Sequence, residues 1–362
     1  MLKLILVFLL PLRDFAVSLA KKFKSKTFVG DDVDRRHFLN KSRELTLAAS
    51  ISEETVAALR RVRTLGRKIL KIPGLNIFRH HAEMAFSTAE PAGRISYLSL
   101  PHKDIGNSCE GLTVLSTNMW HDWPRHRRLL ERLEDIACLV ESQSIDVLIL
   151  QEVTRTRYFH SDEWLSQRLG MAFVYSRANG HSTGIGFEEG LAIFSRFPIG
   201  SPLINQLSNG KNPFVRRVAL GTTIFTPCGE IVAFSVHLGL INQQNAEQQS
   251  RLQAWVDLEA GERPALIGGD FNSDEESPQI KKIQSRWLDT FRHLYPHANG
   301  ITHEIKAPWG SILHRARLDY IFFRQGLARW NIFDANHIKS PLNPHSDHSA
   351  VLVRLRPHVE HV

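Results

Sequence analysis

The sequence predicts an α/β fold in which two β-sheets pack face to face and helices flank them. Two observations lead to this prediction. Short apolar segments with the composition of strands recur between residues 112 and 355, and two longer segments, 124–141 and 243–258, have the spacing of amphipathic helices. Because these strands and helices do not alternate strictly, a sandwich of two packed sheets is the architecture that their order favours.

The strand segments share runs of Val, Ile, Leu and Phe bounded by turn residues. We predict eight of them, at 112–115, 145–150, 190–195, 218–225, 231–236, 265–267, 319–323 and 350–355. In the helix over 124–141, Leu129, Leu133, Ile136 and Val140 recur at helical spacing and form one apolar face.

The composition is that of a globular protein with a sizeable core. The 362 residues are 43% hydrophobic and 23% charged, and this length allows one large domain or two ordinary ones. The three cysteines, Cys109, Cys138 and Cys228, are odd in number and widely spaced. They show neither the spacing of a metal finger nor a paired framework, so we expect ordinary buried thiols.

The net charge of +8 is concentrated in the N-terminal third. Residues 1–105 contain nine lysines and ten arginines against ten acidic residues, so the rest of the chain is close to neutral. A protein that follows a nucleic-acid backbone usually carries its basic surface on the binding domain itself. The near-neutral charge of the rest of the chain therefore argues against a nucleic-acid substrate without excluding one.

The first 30 residues combine an apolar start with a basic run at 21–26. The uninterrupted apolar run 4–10 is too short to span a bilayer, which takes about 20 residues. Three interpretations stay open: a secretory signal with a weak cleavage site at 18–20, a helix on an anionic membrane surface, and a helix packed on the protein itself.

Three parts of the chain follow from these patterns. A basic helix is predicted over 52–70 and stops at Pro73-Gly74, and residues 74–108 are interpreted as a linker or an edge extension. We expect a membrane-associated or cytoplasmic monomer, with secretion as the alternative and residues 1–72 as the contact to an anionic membrane. The predicted parts are 1–30, the apolar and basic segment; 31–108, the basic helical extension and linker; and 109–358, the domain that holds the predicted strands.

Polar residues stand at the ends of six apolar strands. They are Asn118, Glu152, His237, Asp270 with Asn272, Asp319, and Asp347 with His348. A single acid after a strand is often only a turn or a helix cap. Strand ends along one sheet edge converge, however, so we predict that these residues meet in one pocket.

These residue types suit the hydrolysis of phosphate esters. A divalent cation can neutralise the phosphate, and Mg²⁺ prefers a few oxygen ligands, which Glu152 and Asn118 supply, with Mn²⁺ as the alternative. Activation of a water asks for carboxylates and histidines, and Asp270, Asp347, His348 and His237 are candidates. A zinc cluster is not favoured, because no histidine pair at i, i+4 stands beside a glutamate.

Seven short segments follow one another along the chain in a characteristic order. They read LSTNMW, LILQEV, GLAIFSRFPI, FSVHLG, LIGGDFN, RLDYIF and SDHSAV. In order and wording they resemble the endonuclease/exonuclease/phosphatase superfamily with its deoxyribonuclease-like fold. The resemblance covers about Leu112 to Leu355.

The resemblance implies a role for each residue that would lie near the metal or the attacking water. Glu152 resembles the principal metal ligand, and Asn118 resembles the amide that supports the metal and the phosphate. Asp270 resembles the group that orients or deprotonates the attacking water, and Asn272 resembles the amide that holds phosphate oxygens. Asp347 resembles a further carboxylate on the metal side.

The histidines follow the same resemblance. His348 resembles the histidine on the scissile phosphate, with Asp319 orienting its ring, and His237 resembles the candidate acid for the leaving oxygen. One position departs from the pattern, because Trp120 stands where some nucleases of the family carry an aspartate.

Other residues carry weaker interpretations. Arg216 and Arg217 open a strand and are candidates for binding the substrate phosphate. Glu188 and Glu189 lie among glycines, where we expect a surface loop, with a substrate-covering loop as the alternative.

The predicted function is that of a metal-dependent phosphoester hydrolase acting as a phosphodiesterase, nuclease or phosphatase. Nucleic acid and phospholipid or sugar phosphate stay open as substrates, and the basic N-terminus favours the membrane-proximal phospholipid or sphingomyelin alternative. A non-catalytic binding protein on the same fold is disfavoured, because the predicted catalytic residues are all present.

Overall fold

The computed structural model describes residues 95–358, apart from 100–108, 123–124, 183–185, 209–215, 307–310 and 340–343. The predicted N-terminal segment 1–30 and the predicted helix over 52–70 lie outside the described residues. The chain divides into two units, of which the first holds residues 1–91, 180–187 and 213–215. Nearly all of the described residues belong to the second unit.

A seven-stranded sheet forms one half of the second unit. Its order is β1 (Ile95–Leu98), β4 (Ala172–His181), β5 (Phe187–Ser195), β3 (Val147–Thr156), β2 (Leu112–Asn118), β15 (Ala350–Pro357) and β14 (Trp330–Ile338). The strands β2 and β3 run parallel, and β15 runs antiparallel to β2. The ends of β2 and β3 therefore lie beside the start of β15. The edge strand β1 falls in the segment interpreted as a linker or an edge extension.

A six-stranded sheet forms the other half. Its order is β10 (Leu288–Asp289), β13 (Asp319–Arg324), β9 (Ala265–Asp270), β8 (Gly229–His237), β7 (Val218–Thr226) and β6 (Leu203–Gln206). The strands β8 and β9 are parallel, and β13 is antiparallel to β9, so Asp319 lies opposite Asp270. A separate hairpin pairs β11 (His303–Lys306) with β12 (Ile312–Ala316).

The described residues form five helices, of which the first four cover the outer faces of the two sheets and the fifth contacts both β13 and β14. They are α1 (Leu129–Ser142), α2 (Ser161–Leu169), α3 (Asn242–Ala260), α4 (Pro278–Gln284) and α5 (Thr290–Leu294). One buried cluster joins the two sheets, one joins the seven-stranded sheet to α1 and α2, and one joins the six-stranded sheet to α3 and α4. The predicted two-sheet sandwich flanked by helices is confirmed. None of the helices in the described residues is long and apolar enough to cross a membrane.

The first helix begins later than the sequence predicts. Asp122, His126 and Arg128 have φ values of 42, 48 and 52°, which are left-handed and incompatible with a continuous right-handed helix. Asp122 stabilises this turn, because its carboxylate accepts bonds from the backbone and the guanidinium of Arg127. The helix α1 therefore starts at Leu129 instead of near residue 124.

Two glycines allow the strands that carry the site to pack closely. A Cβ on Gly268 of β9 would lie 3.0 Å from Ile149 Cδ1 and 3.1 Å from Ser116 Cβ in the other sheet. Gly269 has a φ of 155°, and a Cβ there would lie 2.0 Å from the carbonyl oxygen of Val236. A side chain at either position would push β9 away from its neighbours, so both glycines help to place Asp270.

A disulfide joins Cys109 to Cys228, with a Cα–Cα distance of 5.0 Å. The expectation of ordinary buried thiols is therefore wrong for these two residues, and Cys138 is a free but exposed cysteine. Spacing along the chain did not indicate this bond, because its cysteines are 119 residues apart. Cys109 precedes β2 and Cys228 lies in the turn before β8, so the bond links the two sheets at the strand ends opposite Asn118 and His237.

We expect this disulfide to contribute measurably to stability. Closing so long a loop restricts the unfolded chain, and removing such bonds typically costs about 2–4 kcal/mol. Cys109→Ser, Cys228→Ser and the double variant should lower the urea midpoint by similar amounts, whereas Cys138→Ser should leave it unchanged. An unchanged midpoint of the wild type in reductant would show that the bond does not stabilise the fold.

Candidate active site

The residues predicted at strand ends meet at one end of the sandwich, and each sheet supplies part of them. The seven-stranded sheet supplies Asn118 and Glu152, and His348 lies two residues before its strand β15. From the six-stranded sheet come His237, Asp270 and Asp319. Hydrogen bonds between these two sets cross from one sheet to the other.

Asn118 connects the carboxylates of the two sheets. Its Nδ2 donates to Glu152 Oε1 at 3.0 Å and to Asp270 Oδ2 at 3.2 Å, and its Oδ1 accepts from the backbone N–H of Trp120 at 2.9 Å. In this orientation the amide nitrogen faces the carboxylates. Asn118 therefore fixes the spacing between Glu152 and Asp270.

Glu152 is held in one orientation and stays ionised. Its Oε2 accepts from the backbone N–H of His121 at 2.9 Å, and its φ of 55° is unusual for a residue with a side chain. Burial opposes ionisation, but the nearby ring of His121 and the hydrogen bonds from the backbone N–H of His121 and from Asn118 hold the pKa of Glu152 well below its usual value. An oriented carboxylate with low proton affinity suits a divalent cation.

Asp319 and His348 form a buried pair. Asp319 Oδ2 lies 2.8 Å from His348 Nδ1, and the backbone N–H of Asp319 donates to Thr302 Oγ1 at 3.1 Å. Burial alone would lower the pKa of His348, but the charge and hydrogen bond of Asp319 raise it to about 10. The ring is therefore a cation at neutral pH, and its Nε2 lies 4.0 Å from Asp270 Oδ2.

Asp270 stands at the centre of the site. Its Oδ1 accepts from the backbone N–H of Asn272 at 2.9 Å, and His237 Nε2 lies 3.6 Å from its Oδ2. Burial and the nearby charge of Asp319 raise the pKa of Asp270 to about 7. Burial and the charge of Arg217 lower the pKa of His237 well below its usual value, so that ring is neutral.

Asn272 and Asp347 lie around these central residues. Asn272 has a φ of 48°, and its Nδ2 donates to the carbonyl of Leu238 at 2.9 Å. Asp347 accepts from Ser346 Oγ at 3.2 Å and approaches His348 and His303, with which it forms a possible cation-binding group. Burial raises the pKa of Asp347.

The two arginines differ in their surroundings. Arg216 is buried, and its backbone N–H donates to Asn179 Oδ1 at 2.8 Å. The side chain of Arg217 makes no hydrogen bond or ion pair with the described residues, and its Nε is buried. Burial lowers the pKa of Arg217, although the charges of Glu189, Asp270 and Glu152 act in the opposite direction.

Two site residues were missed by the sequence analysis. The expected surface loop at 188–189 is wrong, because both glutamates lie in β5 and are buried. His121 Nε2 lies 3.7 Å from Glu189 Oε2 and 3.5 Å from Glu152 Oε2. The apolar run ending at Ser195 could have indicated a longer strand, but no pattern marked His121.

Trp120 packs at the rim beneath two arginines. The guanidinium groups of Arg132 and Arg127 lie 5.0 and 5.4 Å from its ring centroid. Arg132 Nη1 also donates to the carbonyl of Trp120 at 2.7 Å. Trp120, which stands where some nucleases of the family carry an aspartate, therefore packs against arginine side chains.

Comparison with known proteins gives the family. The model described as the Endonuclease/Exonuclease/phosphatase family matches residues 115–338, which is more than half of the chain. The chain belongs to this family. Its members are generally phosphoester hydrolases that use divalent metals. No curated protein matches the sequence significantly.

Solved structures of the family share the fold. A family protein from Leptotrichia buccalis is 20% identical with a TM-score of 0.56, covering 68% of this chain and 100% of its own. One from Bacteroides vulgatus is 17% identical with a TM-score of 0.55, covering 68% and 99%. D. rerio TDP2 complexed with a single-strand DNA product is 16% identical with a TM-score of 0.55, covering 68% and 99%. At these identities the likeness concerns the fold alone.

Proposed function

We propose that this protein hydrolyses phosphodiester bonds with the help of a divalent cation held at Glu152. The observation that carries the proposal is the Asp319–His348–Asp270 series beside Glu152. It sets a cationic imidazole and a carboxylate of raised pKa within 4.0 Å of each other. Such a pair can activate a water and donate a proton in one site.

The donor groups around Glu152 fit a cation. Its low pKa keeps the carboxylate charged, and Asn118 and the backbone N–H of His121 orient both of its oxygens. Oriented carboxylate oxygens are the ligands that Mg²⁺ and Mn²⁺ accept. A bound cation would neutralise the charge of the phosphate and polarise the phosphorus centre.

Asp270 is the proposed base. With a pKa of about 7, it is partly unprotonated at neutral pH and can take a proton from a water aimed at phosphorus. Asn118 Nδ2 and the backbone N–H of Asn272 hold its two oxygens, so the carboxylate cannot rotate freely.

His348 is the proposed proton donor and phosphate contact. With a pKa of about 10, it carries a proton at neutral pH, and Asp319 occupies Nδ1 so that Nε2 faces the pocket. His237 is neutral and is therefore the weaker acid for the leaving oxygen. Its proposed task is to donate a hydrogen bond from a neutral ring.

Arg217 is the proposed anchor for a phosphate oxygen. The buried Nε of Arg217 has no hydrogen-bond partner, and such an unsatisfied donor is costly because its lost hydration is not replaced. A phosphate would supply charged acceptors in the geometry that guanidinium prefers. The absence of any partner among the described side chains thus supports a role in substrate binding.

Arg217→Met should lower kcat/KM by about 10- to 100-fold, the size of one lost charge-assisted hydrogen bond. The melting temperature should stay the same or rise, because the replaced side chain makes no hydrogen bond or ion pair with the described residues. Arg356→Met, on the exposed surface of β15, is the matched control. A kcat/KM within twofold of the wild type would remove Arg217 from the substrate site.

The substrate class can be decided by one panel. The protein with Mg²⁺ or Mn²⁺ would be offered single-stranded and plasmid DNA, RNA, sphingomyelin, phosphoinositides and a nitrophenyl diester. The structure of D. rerio TDP2 is a complex with single-strand DNA product, which supports the DNA arm by analogy. Loss of all hydrolysis in EDTA is expected, and no turnover of any substrate with metal would contradict the proposal.

The N-terminal third supports the lipid substrates of the same panel. For residues 1–72 we keep the proposal of contact with an anionic membrane, because of their charge and apolar start. The Cys109–Cys228 disulfide supports the secretory alternative, since such bonds persist in oxidising compartments. Faster turnover of lipid in anionic vesicles than in neutral ones would favour the membrane-proximal substrates.

A further inference from the structure

Two side chains beside Glu152 have no part in the chemistry described so far. We infer that His121 and Glu189 are ligands of the same divalent cation, and that the imidazole nitrogen makes this site select Mn²⁺ over Mg²⁺. This inference rests on the proposed function, because Glu152 is the shared ligand. His121 Nε2 lies 3.5 Å from Glu152 Oε2 and 3.7 Å from Glu189 Oε2.

The spacing of the three donor atoms fits one coordination sphere. Metal–ligand bonds of about 2.1 Å place donor atoms about 3 Å apart at right angles and about 4.2 Å apart when opposite. The two distances from the imidazole fall between these values, and the three donor atoms all lie within 4.8 Å of one another. A cation can therefore contact all three with small side-chain movements.

Hydrogen bonds orient both carboxylates, on one oxygen of Glu189 and on both oxygens of Glu152. Asn179 Nδ2 donates to Glu189 Oε1 at 2.9 Å, which leaves Oε2 on the side of His121. Asn118 Nδ2 holds Glu152 Oε1 in a similar manner. Outer-shell bonds of this kind fix the orientation of ligands in metal sites.

The charge of Glu189 requires a partner. Its side chain is 6% exposed, and no lysine or arginine of the described residues forms an ion pair with it. Arg217 affects it electrostatically, but at a distance beyond that of an ion pair. Its neighbour Glu188 instead accepts from Tyr175 Oη and lies 4.0 Å from Arg155 Nη1. A buried carboxylate without such a partner is costly unless it binds a cation.

The nitrogen donor determines which cation is favoured. Mg²⁺ strongly prefers oxygen ligands, whereas imidazole suits transition metals. One imidazole with two carboxylates therefore raises the affinity for Mn²⁺ more than that for Mg²⁺. The same set would also accept other divalent transition metals, of which Mn²⁺ is the one with a direct spectroscopic signature.

The test uses the full chain with Mn²⁺ and Mg²⁺ as the probes. Isothermal titration gives the affinities, and electron spin-echo modulation of bound Mn²⁺ detects a directly coordinated ¹⁴N nucleus. His121→Gln keeps the backbone N–H that donates to Glu152, so a change reports on the ring. The control is His358→Gln, an exposed histidine just beyond the far end of β15.

Wild type and His358→Gln should show the ¹⁴N modulation, and His121→Gln should lose it. We expect His121→Gln to weaken Mn²⁺ binding by about 10- to 100-fold and Mg²⁺ binding by less than about threefold. Retained modulation in His121→Gln, or equal losses for both metals, would overturn the inference.

Further variants separate this inference from the proposed function. If His121→Gln fails to fold, Glu189→Gln should weaken Mn²⁺ binding while keeping the modulation, and unchanged binding would overturn the inference. Absence of ¹⁴N modulation in the wild type, with Mn²⁺ binding that Glu152→Gln removes, would refute the role of His121 and leave the proposed function standing. Binding unaffected by Glu152→Gln would instead contradict the proposed function itself.

Discussion

Glu152→Gln is expected to abolish hydrolysis while the protein stays folded. Glutamine has the same shape and can keep the bond from the backbone N–H of His121, but it lacks the charge that holds a cation. Loss of the metal removes several kcal/mol of transition-state stabilisation, which corresponds to about 10³-fold or more in rate. The effect on stability should be small, because Glu152 lies in the pocket and outside the buried apolar clusters.

The measurement compares kcat/KM and the melting temperature with those of Glu131→Gln, an exposed glutamate paired with Arg128. EDTA should abolish the activity of the wild type and of the control, and Mg²⁺ or Mn²⁺ should restore it. Full activity of Glu152→Gln, or of the wild type in EDTA, would remove the metal mechanism.

Asp319→Asn and His348→Ala should each lower kcat by about 10²- to 10⁴-fold, the usual cost of losing an acid–base group. Asp319 Oδ2 lies 2.8 Å from His348 Nδ1, and its charge raises the pKa of that ring. Both variants therefore remove the same protonated imidazole from the site. The double variant should therefore be little worse than His348→Ala alone. Losses that multiply would show that the two residues act independently.

The pH dependence distinguishes this role from a structural one. In the wild type, activity should rise with pH as Asp270 loses its proton near pH 7 and fall near pH 10 as His348 loses its own. Asp319→Asn removes the charge that raises the pKa of His348, so the alkaline fall should move to lower pH. Asp334→Asn, which removes a carboxylate paired with Arg354, is the control. A near-normal His348→Ala enzyme would make His237 the first alternative histidine.

The sandwich and the central site residues could be predicted from the sequence for a simple reason. Parallel strands such as β2 and β3 bring their ends to one edge, so residues that follow them are neighbours in space. Asn118, Glu152, His237 and Asp270 lie at such strand ends. Asp319 instead begins β13, which is antiparallel to β9, and so reaches the same edge from the opposite direction. The motif around Gly268 likewise reflects the contact of β9 with the other sheet.

The remaining features depend on contacts that no local pattern records. Glu189 faces His121 across the pocket, and nothing near it in the sequence indicates burial of its charge. The disulfide joins cysteines 119 residues apart, so their pairing follows from the packing of two sheets. The late start of α1 depends on three left-handed residues, none of which is glycine.

Because the site is divided between two sheets, the activity should depend strongly on the relative position of the two sheets. The Asn118–Asp270 and His348–Asp319 hydrogen bonds connect the two sheets at the site, and the Cys109–Cys228 disulfide connects them at the opposite end. A substitution at Gly268 that shifts one sheet by a fraction of an ångström would displace the proposed base, the proposed acid and the proposed metal ligand relative to one another.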